Sequence, residues 1–226
     1  MQCATIFNRH QFPKSCKCLD LGPLPLTHFV RSAGDDNGVW MIEKNHLRDE
    51  ARGRRAVLAA ECPDFAERVA VHADALAISR GSVVGAYVAM AGEADPHLIL
   101  KKLTLADCSF AFPRVAAKKQ PLAFHHWQAG RELVKSAFGV LEPAPDWPLA
   151  FPGVLLVPML AFDRDGYRLG YGGGFYDMTL AALRARGPVR AIGVAFAGQE
   201  VETLPREAHD QRLDAIVTES GVRSFR

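Results

Sequence analysis

Residues 153–180 of the chain read GVLLVPMLAFDRDGYRLGYGGGFYDMTL. The first part, residues 153–160, is a nearly continuous apolar run, which is typical of a central β-strand covered on both faces. A polar turn follows, and residues 170–174 (GYGGG) then lead directly into a predicted helix over residues 175–186. This order of strand, glycine-rich loop and helix favours an α/β protein that binds its ligand at the carboxyl end of a strand.

Strands alternate with helices on both sides of this segment. Helices are predicted over residues 43–61, from Pro63-Asp64 to a stop at Gly81, and over 95–105, and further strands over 82–90, 108–112, 122–127, 189–196 and 213–218. The alternation predicts an α/β fold, a three-layer sandwich with a mainly parallel central sheet. We expect residues 42–226 to form a single catalytic domain.

The composition is that of a soluble globular protein. Of 226 residues, 49% are hydrophobic, and 27 Lys and Arg against 25 Asp and Glu leave a net charge of +2. So small a charge argues against nucleic-acid and membrane partners. The longest apolar stretch, residues 153–162, is far shorter than the roughly 20 residues that a membrane-spanning helix needs. Five cysteines, an odd number, and the lack of a basic-then-apolar leader predict a reduced, cytoplasmic protein.

Residues 1–41 show no sustained helical or strand period. We expect a disordered extension, or a segment that precedes the true start at Met41, and we expect its deletion to leave turnover unchanged. Cys16-Lys17-Cys18, with His10 and His28 nearby, lacks the two-residue gap and the second ligand pair of common zinc sites. A metal site is therefore not favoured in this region.

A basic stripe, defined here as Lys44, Arg48, Arg52 and Arg55, runs along the first predicted helix. At about 100° per residue the four side chains fall within an arc of about 80°. Spacing alone favours a solvated charged face, and the alternative is an edge that faces phosphate groups.

The glycine-rich loop, residues 170–174, combines two features that bind anions. Glycines allow consecutive backbone N–H groups to converge, and the following helix contributes the positive end of its dipole. Arg168 could add a charge-assisted contact to phosphate, and Asp177 stands where it could hold a divalent cation. The alternative is a tight turn, with Asp177 only stabilising the helix dipole. Three successive glycines favour phosphate binding, although the loop matches neither the Walker A nor the dinucleotide pattern.

The pair His125-His126 suggests a metal or base site when taken alone. Adjacent residues of a strand point to opposite faces, so we expect one buried and one exposed histidine rather than a shared site.

Several of these segments together resemble the 5-formyltetrahydrofolate cyclo-ligase family, also called methenyltetrahydrofolate synthetases. The resemblance is carried by RLGYGGGFYD at 168–177, VPMLAFDRDGY at 157–167, FGVLEP at 138–143, the stretch 196–219, and Lys44-x-x-x-Arg48. It extends from residue 43 to about residue 222. The glycine-rich loop together with residues 205–210 is the most specific part.

The resemblance implies an ATP- and magnesium-dependent ligase that converts 5-formyltetrahydrofolate into 5,10-methenyltetrahydrofolate, ADP and phosphate. The formyl oxygen attacks the γ-phosphate, a neighbouring nitrogen closes onto the activated carbon, and phosphate leaves. Such chemistry needs positioning and charge neutralisation more than a protein nucleophile. We see no Ser-His-Asp or Cys-His constellation in the sequence. The hypothesis is a monomer whose partner is the small-molecule folate, with or without a polyglutamate tail.

The family's site residues can be carried over by position. The ATP site would comprise Lys44, Arg48, Arg168, Leu169, Gly170, Tyr171, Gly172, Gly173, Gly174, Phe175 and Tyr176. The folate site would comprise Glu93, Phe138, Tyr171, Gly172, Gly173, Gly174 and Phe175. Asp177 and Asp210 resemble the family's magnesium ligands, and Arg168, Tyr171 and Asp177 would act in catalysis.

The chain also departs from the family pattern. Tyr171 and Gly173 stand where Arg or Lys is common, and Met178 stands where an Arg is common, so less positive charge approaches the phosphates. These departures keep a non-catalytic folate-binding or regulatory module open as an alternative. A sugar-phosphate isomerase or CoA-transferase-like enzyme is a further alternative, because related α/β architectures host such chemistry.

Overall fold

The computed structural model describes residues 36–128, 130–136 and 139–225, with side chains from residue 44 onward. The helices are α1 (Asp36–Glu61), α2 (Phe65–Ala70), α3 (His97–Thr104) and α4 (Phe175–Arg184), with 3₁₀ turns at Asp74–Leu76 and Ala197–Gln199. The strands are β1 (Val83–Gly85), β2 (Ser109–Arg114), β3 (Ala123–His126), β4 (Val134–Lys135), β5 (Leu141–Glu142), β6 (Leu149–Ala150), β7 (Val154–Val157), β8 (Ala161–Asp163), β9 (Arg168–Leu169), β10 (Arg190–Val194), β11 (Glu200–Val201), β12 (Ala215–Thr218) and β13 (Gly221–Ser224).

Within the described ranges, eight strands form one large sheet in the order β13-β12-β10-β7-β1-β2-β3-β6. The five strands from β12 to β2 are parallel, and antiparallel strands extend the sheet at both edges. Smaller sheets are formed by β11-β8-β9 and by β4-β5. The mixed α/β fold with a large, mainly parallel sheet is the one that the alternation of strands and helices predicts.

Strand β7 lies in the middle of the large sheet and is buried on both faces. Val154 and Leu156 pack into a core cluster with residues of α1, α2 and α3, whereas Leu155 and Val157 pack into another with residues of α4. The sheet therefore separates two helical layers, and the apolar run in residues 153–160 is explained by burial on both sides.

The elements differ from the predicted ones mainly in their ends. Helix α1 begins at Asp36, seven residues before the predicted start. The helix predicted to run as far as Gly81 ends at Ala70, and a 3₁₀ turn continues it. The strand predicted over 82–90 is hydrogen-bonded as a strand over Val83–Gly85. In the part of the chain that is described, no helix is long and apolar enough to cross a membrane.

Candidate active site

A cleft of about 1130 Å³ opens at the carboxyl ends of the parallel strands. Tyr87 follows β1, Val115 follows β2 and Pro158 follows β7, and all three line it. Its other walls come from α1, the glycine-rich loop and the segment 205–210. The lining residues are Lys44, Asn45, Arg48, Tyr87, Val88, Met90, Glu93, Pro113, Val115, Leu122, Val140, Leu141, Glu142, Pro158, Arg168, Leu169, Gly170, Tyr171, Gly172, Gly173, Gly174, Phe175, Tyr176, Asp177, Pro205, Arg206, Glu207, His209 and Asp210.

The glycine-rich loop connects β9 to α4 along one wall of the cleft. Gly172 has a φ of +96°, and Gly174, the residue before α4, has a φ of +65°, conformations that residues with a Cβ rarely adopt. A Cβ on Gly173 would lie 2.8 Å from the Phe175 ring. The glycines therefore permit this backbone path, which brings the N-terminus of α4 to the cleft and makes an anion site there possible.

The basic stripe of α1 faces this loop. The Nε atom of Arg48 donates a hydrogen bond to the carbonyl oxygen of Gly170 at 3.2 Å, and its Nη1 atom donates to Oδ1 of Asn45 at 2.7 Å. Lys44 and Arg48 line the cleft, and the guanidinium groups of Arg52 and Arg55 lie over the Tyr171 ring, at 5.9 and 5.4 Å from its centroid. The stripe therefore contacts the loop rather than facing only solvent.

Two carboxylates lie beside the Lys44 ammonium. Lys44 donates a hydrogen bond to Oε1 of Glu207, and its Nζ atom lies 3.7 Å from Oδ2 of Asp210. This hydrogen bond lowers the pKa of the Glu207 carboxyl. The Glu207 backbone N–H donates to the same Oδ2 atom of Asp210 at 2.8 Å. The segment 205–210 is thus attached to α1 through charges at the edge of the cleft.

Arg168 and Asp177 form an ion pair on the cleft wall. Nη2 of Arg168 lies 2.7 Å from Oδ1 of Asp177, and Nη1 donates to the carbonyl oxygen of Gln211. The Gln211 N–H donates to the same Oδ1 atom at 2.9 Å. Burial lowers the pKa of the Arg168 guanidinium, and the Asp177 carboxylate opposes that shift. The Arg168 side chain is only 5% exposed, and Asp177 and the Gln211 carbonyl hold it in place.

Glu93 also lines the cleft and is almost fully buried, with a side chain 3% exposed. Its Oε1 atom accepts a hydrogen bond from the Tyr171 hydroxyl at 2.7 Å, and its Oε2 atom accepts one from the Met90 N–H at 2.9 Å. Nη1 of Arg55 lies 3.5 Å from Oε1. Burial and the hydrogen bond to Glu93 raise the pKa of Tyr171 to about 12.

A second buried carboxylate, Asp163, connects two walls of the cleft. Its Oδ1 atom accepts hydrogen bonds from the N–H groups of Asp165 and Tyr167 at 3.0 and 2.9 Å. Its Oδ2 atom accepts from the Leu204 N–H at 3.3 Å and from Nη2 of Arg206 at 3.2 Å. Asp163 therefore holds the turn before the glycine-rich loop against the segment that carries Glu207 and Asp210.

The structure brings almost all of the predicted site residues to this cleft. Phe138 lies outside the described residues, as do His10, Cys16, Cys18 and His28. His125 is buried, with Nδ1 2.7 Å from the carbonyl oxygen of Trp147, and His126 is partly exposed. Neither histidine lines the cleft.

The sequence did not single out Arg55, Asp163 or Glu207 as site residues. Arg55 was visible as the last member of the basic stripe. Asp163 and Glu207 lie inside segments that carry the family resemblance, but their contacts with Leu204 and Lys44 join positions far apart in the sequence.

Comparison with known proteins identifies the family to which the chain belongs. The sequence profile of the 5-formyltetrahydrofolate cyclo-ligase family matches residues 41–219. A 5-formyltetrahydrofolate cyclo-ligase from Mycolicibacterium smegmatis is 33% identical over 184 residues, which is 77% of this chain and 93% of that protein. The Haemophilus influenzae 5-formyltetrahydrofolate cyclo-ligase is 31% identical over 182 residues, which is 77% of this chain and 97% of that protein.

A solved structure supports the same grouping. The NMR structure of 5,10-methenyltetrahydrofolate synthetase from Aquifex aeolicus superposes with a TM-score of 0.67 at 30% identity, over 81% of this chain and 93% of that one. A synthetase from Mycoplasma pneumoniae, at 20% identity and a TM-score of 0.61, shares the fold over 78% of this chain and 99% of its own. The extent of the profile match and of these similarities shows that the chain belongs to the 5-formyltetrahydrofolate cyclo-ligase family of ligases.

Proposed function

We propose that the protein converts 5-formyltetrahydrofolate into 5,10-methenyltetrahydrofolate, with ATP and Mg²⁺ as co-substrate and cofactor and with release of ADP and phosphate. One observation carries the proposal. A single cleft is lined by the glycine-rich loop, by two cations from α1, Lys44 and Arg48, and by the buried carboxylate of Glu93.

The part of the cleft beside Lys44 and Arg48 suits a triphosphate. Lys44 and Arg48 supply positive charge, and the loop offers backbone N–H groups beside the N-terminus of α4. Lys44 is held by Glu207 and Asp210, so a phosphate would exchange for these carboxylates or share the ammonium with them. The residues proposed to bind ATP are Lys44, Arg48, Arg168, Leu169, Gly170, Tyr171, Gly172, Gly173, Gly174, Phe175 and Tyr176.

The part of the cleft beside Glu93 suits a flat heterocycle with N–H donors. Glu93 offers carboxylate oxygens in a buried environment, where a hydrogen bond is stronger than it is in water. Tyr171 and Phe175 supply aromatic faces beside it. We assign folate binding to Glu93, Tyr171, Gly172, Gly173, Gly174 and Phe175, and we retain Phe138 as a prediction from the family resemblance.

The proposed reaction proceeds in two steps through a phosphorylated formyl group. The formyl oxygen attacks the γ-phosphorus, and the bond from that phosphorus to the ADP oxygen breaks. A folate amine nitrogen then bonds to the activated carbon and loses its proton to solvent, while the carbon–oxygen bond breaks and the oxygen leaves with phosphate. The protein positions the reactants and neutralises charge, and no side chain has to form a covalent bond.

Asp177 and Asp210 fit a magnesium site that is completed by phosphate and water. The hydrogen bonds to Asp177 end on Oδ1, and Asp210 receives its hydrogen bond on Oδ2. Within the described residues, one oxygen of each carboxylate therefore accepts no hydrogen bond. No group of three or more acidic, His or Cys side chains there is arranged to hold a metal ion by itself, and Mg²⁺ commonly keeps several waters. Bound Mg²⁺ would neutralise negative charge on the phosphates.

We place the reaction in the cytoplasm and expect a monomer. Cys62 and Cys108 support a reducing compartment, because both are buried free thiols.

The proposal is tested by mixing the purified protein with 5-formyltetrahydrofolate, ATP and Mg²⁺ and following the near-ultraviolet absorbance of methenyltetrahydrofolate. We expect product only when both ATP and Mg²⁺ are present. Folate binding without turnover would favour a non-catalytic binding module. Turnover of a phosphosugar without ATP would favour an isomerase.

A further inference from the structure

We infer that Arg55 is a positioning residue for the folate end of the cleft, where it holds the Glu93 carboxylate and the Tyr171 ring in place. The inference rests on the proposed function, because it assigns Glu93 to the folate.

Arg55 lies on α1 three helical turns beyond Lys44 and is 7% exposed. It contacts both Glu93 and Tyr171, yet it does not line the cleft, whereas its two partners do. We therefore expect Arg55 to act on a ligand in the cleft through Glu93 or Tyr171 rather than by direct contact.

A carboxylate as buried as Glu93 requires a nearby positive charge, because desolvation of an unpaired charge is strongly unfavourable. In the part of the chain that is described, Arg55 is the residue that forms an ion pair with it. The hydrogen bonds from Tyr171 and Met90 orient the two carboxylate oxygens, and neither donor carries a charge.

Arg55 also joins three separate pieces of the chain. It sits on α1, Glu93 follows β1 in the turn at residues 90–93, and Tyr171 belongs to the glycine-rich loop. Since Lys44 and Arg48 are on the same helix, α1 fixes the distance between the phosphate end and the folate end. Loss of Arg55 should free Glu93 and the loop tyrosine without moving Lys44.

A double-mutant cycle on equilibrium binding tests the inference. Arg55→Gln, Glu93→Gln and the double variant are compared for binding of 5-formyltetrahydrofolate in the absence of ATP, and for binding of a non-hydrolysable ATP analogue. We expect Arg55→Gln to raise the Kd for the folate about tenfold or more, with a much smaller rise in the Kd for the analogue, whose cationic contacts Lys44 and Arg48 stay in place. The double variant should bind the folate no more weakly than Glu93→Gln alone, because Arg55 acts through Glu93.

Arg54→Gln is the matched control. Arg54 is the neighbouring arginine on α1, and its Nε atom donates to the carbonyl oxygen of Gly198, away from the cleft. It should leave the folate Kd unchanged, and thermal unfolding reports any loss of stability in either variant. If Arg55→Gln does not fold, Arg55→Lys is used instead. It keeps the positive charge without the planar guanidinium group, and it should raise the Kd for the folate by a smaller factor.

The outcomes separate this inference from the proposed function. An unchanged folate Kd in the Arg55 variants, or additive effects in the cycle, would overturn the inference. An equal loss of binding for the folate and the ATP analogue would indicate a general structural role and would also overturn it. Turnover by the unaltered protein tests the proposed function separately, because the cycle requires no catalysis.

Discussion

Asp177 holds two groups at once, the Arg168 guanidinium and the Gln211 N–H, through a single carboxylate oxygen. This arrangement ties the start of α4 to the segment after Asp210. Under the proposed function, the other carboxylate oxygen of the same residue would hold Mg²⁺.

The Asp177→Asn substitution keeps the size of the side chain and removes its charge. We expect turnover to fall by roughly 100-fold, with partial recovery at high magnesium concentration, because a charge at the phosphates is lost. Asp214→Asn is the control, since Asp214 forms a comparable ion pair with Arg184 away from the cleft. Full turnover by Asp177→Asn would remove Asp177 from the metal site.

Tyr171 should titrate far from its usual range. Burial and the hydrogen bond to Glu93 raise its pKa to about 12 from 10.0, so folding favours the neutral phenol. The stability that it contributes is fully present below pH 10 and is lost as the pH rises towards 12.

The tyrosinate absorbance of the unaltered protein and of Tyr171→Phe is compared over a range of pH. The difference between the two should titrate at about pH 12. It is recorded directly after a pH jump, before the protein unfolds, and protein unfolded in guanidinium serves as the reference. If the absorbance lost in Tyr171→Phe instead titrates near pH 10 in the folded protein, the phenol is not held by Glu93.

Among the elements, β7 and α4 were predictable because local sequence specifies them. The apolar run of β7 requires cover on both faces, and the glycines before Phe175 mark the start of α4. Two-residue strands such as β4 and β9 are too short to show a local sequence pattern. They are strands because they pair with β5 and β8. The early start of α1 was also missed, since residues 36–42 carry no periodic apolar pattern.

The site residues divide in the same way, into those indicated by a short stretch of sequence and those brought together only by the fold. The glycine-rich loop was predicted from its own short motif, whereas Lys44 and Arg48 were predicted from the family resemblance, because their spacing alone favoured a solvated face. The ion pair of Arg55 with Glu93 joins residues 38 positions apart, and the Arg168–Asp177 pair depends on the fold of the β8–β9 hairpin. Sequence spacing does not encode such contacts.

The loop's function should depend on the conformation of Gly172. Its φ of +96° is unfavourable for alanine by about 1–2 kcal/mol, and a Cβ would lie 3.1 Å from Cζ of Arg48. We expect Gly172→Ala to raise the KM for ATP about tenfold, which corresponds to about 1.4 kcal/mol. In Gly187→Ala, the new Cβ would have no neighbour within 4 Å, and this variant should behave as the unaltered protein. Unchanged ATP kinetics in Gly172→Ala would contradict the role given to this backbone.

At the scale of the whole molecule, the described residues that line the cleft extend along the chain from Lys44 to Asp210. Lys44 stands more than two turns inside α1, so residues before Asp36 are not needed to place it. We expect deletion of residues 1–35, and also of 1–41, to leave turnover and the melting temperature unchanged. Deletion of residues 1–47, which removes Lys44, should abolish ATP binding. A large loss of turnover in the shortest deletion would contradict the expected dispensability of this region.

The contact between Lys44 and Glu207 joins positions 163 residues apart. Chains are synthesised from the N-terminus, at roughly 5–20 residues per second, so α1 and the glycine-rich loop leave the ribosome before the segment that locks them together. During that interval a nascent chain has its cations but lacks the carboxylates of Glu207 and Asp210. Under the proposed function, we therefore expect a nascent chain that has not yet reached Asp210 to lack productive turnover of nucleotide.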